Sequence, residues 1–301
     1  MSRFDIVDAQ IHLTRELGRD AILHAMDALG ITGVVIDEFW GLTPQLRVLP
    51  GDLLPSGLSR PLSPTAQAMS IESPQRVSYL QRVERQDPLL AQVMSLLGAS
   101  AGCRAVRVVL LNAGERSAFS TGGYDQVLSL AVAHDLAVCV LGADLAGLPG
   151  LFERHADVRI VLDHCGWARN AGHWQQILDT AALPQVSLKW SHTARAFSKV
   201  ASPGEDLGSV TAREFLRALD AYGVGRVMWA SDVTQENASW HDLLAFVTHH
   251  PTLSDGDKQW VLGRAARDVL RWPAPTTATG PAGTDPAGPG PTMTPPIEKD
   301  A

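Results

Sequence analysis

Cysteine is scarce in this chain. Cys103, Cys139 and Cys165 are the full set among 301 residues, an odd number with no C-x-x-C pair. That excludes a disulfide scaffold and a thiolate zinc cluster, and it fits a reducing compartment. Cys103 and Cys139 sit in apolar runs and read as small core residues. Basic blocks are also missing. The net charge is −7, with both signs interspersed, so no nucleic-acid partner is expected. No apolar run reaches the roughly 18–20 residues that a membrane span requires. The opening MSRFDIVDA runs straight into an apolar stretch and has no secretory h-region, so the expected location is the cytoplasm. A G-x-G-x-x-G turn after the first apolar run is absent as well, which argues against an open dinucleotide-binding sheet.

What is present is alternation. Apolar, β-branched runs recur at 4–9, 31–39, 77–83, 103–110, 137–142, 158–164, 186–191 and 226–232. Amphipathic stretches lie between them, at 20–29, from Asp87, at 124–135, at 211–223 and at 254–272. In the third of these gaps, Asp87 and Pro88 form a helix-start signal. Eight strands, each followed by a helix, predict a closed parallel (β/α)8 TIM barrel over residues 1–272. Residues 41–74 read as a long Pro/Gly/Ser-rich loop. From 273 to 301 the composition turns to Pro, Gly, Thr and Ala, with too little apolar surface to offset ordering entropy, and a disordered tail is expected.

In such barrels the chemistry sits at the C-terminal ends of the strands. The polar residues expected there are Gln10 and His12, Asp37 and Glu38, Gln81 and Arg82, Arg107 with Asn112, Asp144, Asp163 and His164, Lys189 with Ser191 and His192, and Ser231 and Asp232. In "DAQIHL", period-two alternation puts Asp8, Gln10 and His12 on one face. Two histidines one residue apart would grip a metal at a strand end, but the first of these positions is Gln10. Each residue also has a plain structural use: a loop-capping histidine, a helix-capping Asp232, salt bridges for Arg82 and Arg107, packing for Trp40, Trp190 and Trp229. Their joint placement is what points to a site.

Five blocks carry a family resemblance: "IVDAQIHL" at 6–13, "VRIVLDHCGW" at 158–167, "VSLKWS" at 186–191, "RVMWASD" at 226–232 and "VLGRAARDVLRW" at 261–272. Together they resemble the amidohydrolase superfamily, in its amidohydrolase 2 branch, and most closely the lactonase-type members. The resemblance implies a (β/α)8 fold and hydrolysis by activated water. By position, it implies that Gln10 and His12 occupy the strand-one ligand pair, His164 a later ligand histidine, and Asp232 the strand-eight carboxylate and general base. Lys189 matches a recurrent strand-seven lysine.

The implied catalytic residues are Asp232, His164 and His12. Arg107, Arg82, Lys189, His192 and Trp40 are expected to meet the substrate, a small molecule bearing a carboxylate. The implied cofactor is one divalent metal, zinc, held by Gln10, His12, His164 and Asp232. An amide oxygen is a poor zinc donor, so catalysis without metal stays open. The expected reaction is opening of a lactone or cyclic ester. The alternatives are non-oxidative decarboxylation of an aromatic or unsaturated acid, and a non-catalytic barrel. A homo-oligomer is compatible with the sequence.

Overall fold

The computed structural model describes residues 4–13, 18–38 and 64–274. The chain forms a (β/α)8 barrel. Its first half runs β1 (Val7–Leu13), α1 (Arg19–Leu29), β2 (Gly33–Glu38), α2 (Pro64–Glu72), β3 (Val77–Arg82), α3 (Leu90–Ala99), β4 (Cys103–Val109), α4 (Ala113–Ser120) and α5 (Asp125–Ala133). The second half runs β5 (Ala137–Leu141), α6 (Leu148–Arg154), β6 (Ile160–Leu162), α7 (Ala171–Asp179), β7 (Val186–Trp190), α8 (Thr193–Phe197), α9 (Leu207–Tyr222) and β8 (Val227–Trp229). It closes with α10 (Trp240–Thr248), α11 (Asp255–Gln259), a π-helical turn (Trp260–Arg264) and α12 (Ala265–Val269).

All eight strands overlap the expected runs, in sequence order and joined by parallel ladders from β1 to β8, although β1 starts three residues later than the expected 4–9 and runs on to Leu13. Three expectations need correction. The 41–74 stretch is not loop throughout, since α2 occupies Pro64–Glu72. The helix expected over 254–272 is divided in three by the π turn. Asp87 does not cap α3: it accepts from Leu89 N at 2.8 Å in the turn before it, and regular helix begins only at Leu90. The 273–301 tail lies outside the described residues beyond Ala274.

Two apolar layers result from strand alternation. Outward residues such as Ile11, Ile36, Val106 and Leu188 pack against the helices, with Trp174, Phe197 and Phe215 among the largest buried side chains. Inward residues Val7, Ala9, Val35, Leu80, Ala105, Ala137, Cys139, Val161, Met228 and Ala230 fill the barrel's interior, and Leu270 and Trp272 join that cluster. Gly33 is required here: a Cβ would stand 2.9 Å from the Trp272 ring. The three cysteines are free and buried, as small core residues.

The seam between β8 and β1 is held differently. Ser231 N donates to Asp8 Oδ1 at 2.8 Å, and Asp232 N donates to Gln10 O at 2.9 Å. His12 N donates to Thr234 Oγ1 at 3.0 Å. A carboxylate and a few loop groups therefore tie the last strand to the first.

Candidate active site

Simple alternation fails in β1, and the failure shapes the site. Asp8 pairs with Val34 and Ile11 with Ile36, so β1 carries one residue more than β2 between these points. This bulge puts both Ala9 and Gln10 opposite Val35. Val7 and Ala9 face the barrel interior, while Asp8 turns outward to Trp240, whose Nε1 donates to Asp8 Oδ2 at 2.7 Å. Gln10 nonetheless reaches Lys189 inside the barrel. The expectation that Asp8 shares a face with Gln10 and His12 is thus corrected. Burial pushes the Asp8 carboxyl up to about 7, against the hydrogen bonds from Ser231, Gln10 and Trp240.

A second departure occurs at the ends of β6, β7 and β8. His164, His192 and Asp232 have φ of 53°, 50° and 46°, left-handed values that cost a non-glycine residue roughly 1–2 kcal/mol each. Each follows an ordinary strand-end residue: Asp163, Ser191 and Ser231. The turn reverses strand alternation, so neighbours in sequence both address the mouth: Arg107 donates to Asp163 from Nε and to His164 from Nη2. Strain recurring at three successive strand ends is the kind of cost that accumulates at working sites.

Asp232 is the centre. It is buried, with Oδ1 3.1 Å from His12 Nε2 and Oδ2 2.7 Å from His192 Nε2. His164 Nδ1 lies 3.7 Å from Oδ2. Burial by itself opposes ionisation, yet hydrogen bonds from His12 and His192 and the charge of His12 hold the carboxyl far below the usual range. His12 is fixed from behind, its Nδ1 bonded to Asp37 O at 2.8 Å. Burial disfavours its imidazolium, but Asp232 and Asp37 outweigh that and raise its pKa. His192 spans two carboxylates, with Nδ1 3.2 Å from Glu236 Oε1. Burial, and the charge of Asp232, raise the pKa of Glu236 against the pull of His192.

Beneath this lies a buried lattice of ions. Arg107 donates from Nε to Asp163 at 2.7 Å, from another nitrogen to Asp37, and from the third to His164 Nε2 at 2.9 Å. Because a guanidinium only donates, His164 Nε2 accepts, and its Nδ1–H donates to Ser191 Oγ at 2.9 Å. Burial and the Arg107 charge push the His164 pKa down to about 3, so the ring is neutral. Lys189 is 0% exposed and donates to Gln10 Oε1 at 2.9 Å, with Asp163 Oδ1 at 3.0 Å. Asp163 is buried too, and Lys189 and Arg107 keep it ionised.

The expected residues therefore separate into groups. Asp232, His12, His164 and His192 converge. Arg107 and Lys189 stand directly below, with each guanidinium nitrogen of Arg107 making one bond to protein. Arg82 pairs in register with Arg107 at the rim and bonds Glu84 at 3.2 Å. Asp144 is elsewhere, accepting from Ser120 at 2.7 Å, and Asn112 caps α4. Trp40 lies outside the described residues. Ser191, counted among the strand-end polar residues, belongs to the network, as does Glu236, which the sequence reading did not single out. A Glu four residues beyond Asp232 was the available signal.

Among the described residues, one set of side chains suits a divalent ion: His164, His192 and Asp232 offer ligand atoms within 4.8 Å of one another. Two imidazoles and a carboxylate match a three-ligand centre with an open position. This set differs from the expected one. His192 replaces Gln10, whose oxygen is held by Lys189, and His12, whose two nitrogens face Asp37 and Asp232. An ion on His164 Nδ1 would move that ring's proton to Nε2, against the Arg107 N–H, so ion and Arg107 contact compete.

Comparison with known proteins follows from this geometry. Residues 86–272 match the family model described as Amidohydrolase. No curated protein matches. Similar solved structures include an amidohydrolase from Burkholderia multivorans with bound zinc, at 19% identity and TM-score 0.69, covering 89% of this chain and 100% of that one. A candidate 2-pyrone-4,6-dicarboxylic acid hydrolase from Pseudomonas putida has 18% identity and TM-score 0.65, over 90% and 99%. A dihydroxybenzoic acid decarboxylase from Polaromonas sp. JS666, with manganese and an inhibitor, has 13% identity and TM-score 0.59, over 90% and 97%. Hydrolases and decarboxylases thus share this architecture. No helix among the described residues is long and apolar enough to cross a membrane. With the barrel, the strand-end constellation and the match over more than half its length, the chain belongs to the Amidohydrolase family.

Proposed function

We propose that the protein is a hydrolase that opens a small lactone or related cyclic ester with water activated at Asp232. The observation that carries this reading is a buried carboxylate held between two imidazoles, 3.1 Å from His12 and 2.7 Å from His192, at the mouth of the barrel. Water placed against Asp232 gives up a proton as its oxygen attacks the carbonyl carbon. A carboxylate stabilised this strongly is a weak base alone. The His192 ring joins it to Glu236, where burial favours the protonated form, so the proton has a route away. His12, biased toward imidazolium, supplies the positive charge for the carbonyl oxygen as it turns anionic. One well-placed donor of that kind contributes about 3–4 kcal/mol. The ring C–O bond then breaks, and the alkoxide takes back, by way of His192 and Asp232, the proton that water gave up.

His164, His192 and Asp232 would hold a divalent ion, which would polarise the carbonyl and lower the pKa of bound water toward ~7. Zinc is the first choice on donor type, two imidazoles and a carboxylate. The chain's lack of a disulfide framework supports a cytoplasmic setting.

A lactone panel monitored by proton release, run beside an aromatic-acid panel monitored for carbon dioxide, tests the assignment. Ring opening without carbon dioxide is expected. Carbon dioxide release with no ring opening would assign decarboxylation instead.

A further inference from the structure

At the mouth one arginine, Arg107, stands between two carboxylates. At the opposite end of the barrel the ratio is reversed, and three arginines share one aspartate. Arg104 is the second residue of β4, Arg159 immediately precedes β6, and Arg271 lies two residues past α12. Asp135 lies two residues ahead of β5, the strand between β4 and β6. Arg159 Nη1 stands 3.1 Å from Asp135 Oδ1, and Arg271 Nη1 bonds the same oxygen. Arg159 also donates from Nη2 to the main-chain oxygen of Asp135 at 2.7 Å. Arg104 donates from Nη1 to the main-chain oxygen of Arg271 at 3.3 Å, and its buried Nε has no hydrogen-bond partner. Among the described residues no other acidic side chain pairs with any of the three. Three guanidiniums against one carboxylate leave an excess of two positive charges, in a chain whose net charge is −7. Burial works against the charge of Arg104 and of Arg159, and Arg271 adds repulsion at Arg159. Asp135 offsets this poorly, because its side chain is 56% exposed and an exposed ion pair contributes little. The same exposure leaves the cluster open to solvent.

Guanidinium groups bind phosphate oxygens through paired, charge-assisted N–H bonds, and a doubly charged anion cancels the excess. We propose that Arg104, Arg159 and Arg271 form a binding site for a phosphate dianion at the foot of β4, β5 and β6. The bound ion ties the end of α12 to three strand starts, so it acts on stability and stands apart from the chemistry at Asp232.

Calorimetric titration of the full chain with inorganic phosphate, at mildly alkaline pH where the ion is doubly charged, measures the site. Glycerol 3-phosphate is titrated in parallel. Phosphate is expected to bind and to raise Tm, and sodium chloride at the same ionic strength should reproduce neither effect. The source is the free ion if inorganic phosphate binds at least as tightly as the ester, and a phosphorylated metabolite if the ester binds better. Arg104→Gln and Arg271→Gln should each weaken phosphate by about tenfold. Asp135→Asn separates a binding site from a structural tie. Asparagine tolerates the φ of 57° at this position. Without phosphate the variant should be less stable than wild type, yet it should bind phosphate several-fold more tightly, because the competing carboxylate is gone. The absence of phosphate binding at millimolar concentration overturns the site. So does binding that Arg104→Gln alters by less than about twofold, a rise in Tm that chloride matches, or an Asp135→Asn variant that binds phosphate no more tightly than wild type.

Discussion

Replacing Arg107 with methionine is the sharpest perturbation of the buried lattice. Methionine keeps most of the side-chain volume and removes a cation that is 4% exposed and bonded to Asp37, Asp163 and His164. Asp163 keeps Lys189 at 3.0 Å, but Asp37 loses its buried counter-charge. Removing one partner of a buried ion pair typically costs about 3–5 kcal/mol. For a domain of this size each kcal/mol moves Tm by ~2–4 °C, so a fall of roughly 6–20 °C is expected. Urea unfolding followed by far-ultraviolet circular dichroism reads the free energy directly. Arg107→Lys should recover part of it, because one ammonium cannot reproduce three directed bonds. The same Arg107→Met variant frees His164 Nε2, so zinc should bind it more tightly than wild type by calorimetry. A loss below about 1 kcal/mol would refute the reasoning, because it would mean that the lattice is solvated or repacks at no cost.

Three further outcomes follow from the same geometry. Asp8→Asn sets an amide N–H against the Trp240 indole N–H, which should cost about 1–3 kcal/mol; adding Trp240→Phe should recover most of it, and a non-additive double-mutant cycle in chemical unfolding checks this. His164 is held near 3 against ~6.5 in the unfolded chain, so its contribution is present above ~6.5 and is lost as pH falls toward about 3, because the unfolded state alone takes the proton. The urea midpoint should drop over that window, and His164→Gln should flatten the drop; parallel wild-type and mutant profiles would contradict it. Glu236→Gln should lower kcat and shift its pH profile while leaving KM close to wild type, as a pH–rate series would show, if the proton leaves Asp232 by way of His192.

The architecture was legible because strand and helix periods differ and repeat eight times. The positions of His12, His164 and Asp232 were legible because strand ends can be counted. What alternation cannot reveal is where it breaks. The β1 bulge turns Asp8 away from Gln10, and the left-handed turns at His164, His192 and Asp232 bring consecutive residues to one place. Partners remote in sequence were hidden for another reason. Arg107 and Lys189 look the same in the sequence whether they face a ligand or an aspartate, and only packing decides. Glu236 lies in a short segment past β8, where no period marks a side chain's direction. Gln10 was read through an absent metal ligand, whereas the fold gives it a lysine.

Everything rests on Asp232 taking a proton from water. The most direct measurement is turnover of a lactone in oxygen-18 water by wild-type protein and by Asp232→Asn. The account predicts a single labelled oxygen in the hydroxy acid and a rate at least about a hundredfold lower for the variant, with its fold intact by circular dichroism. Near-normal turnover by folded Asp232→Asn, or product without label, would contradict it.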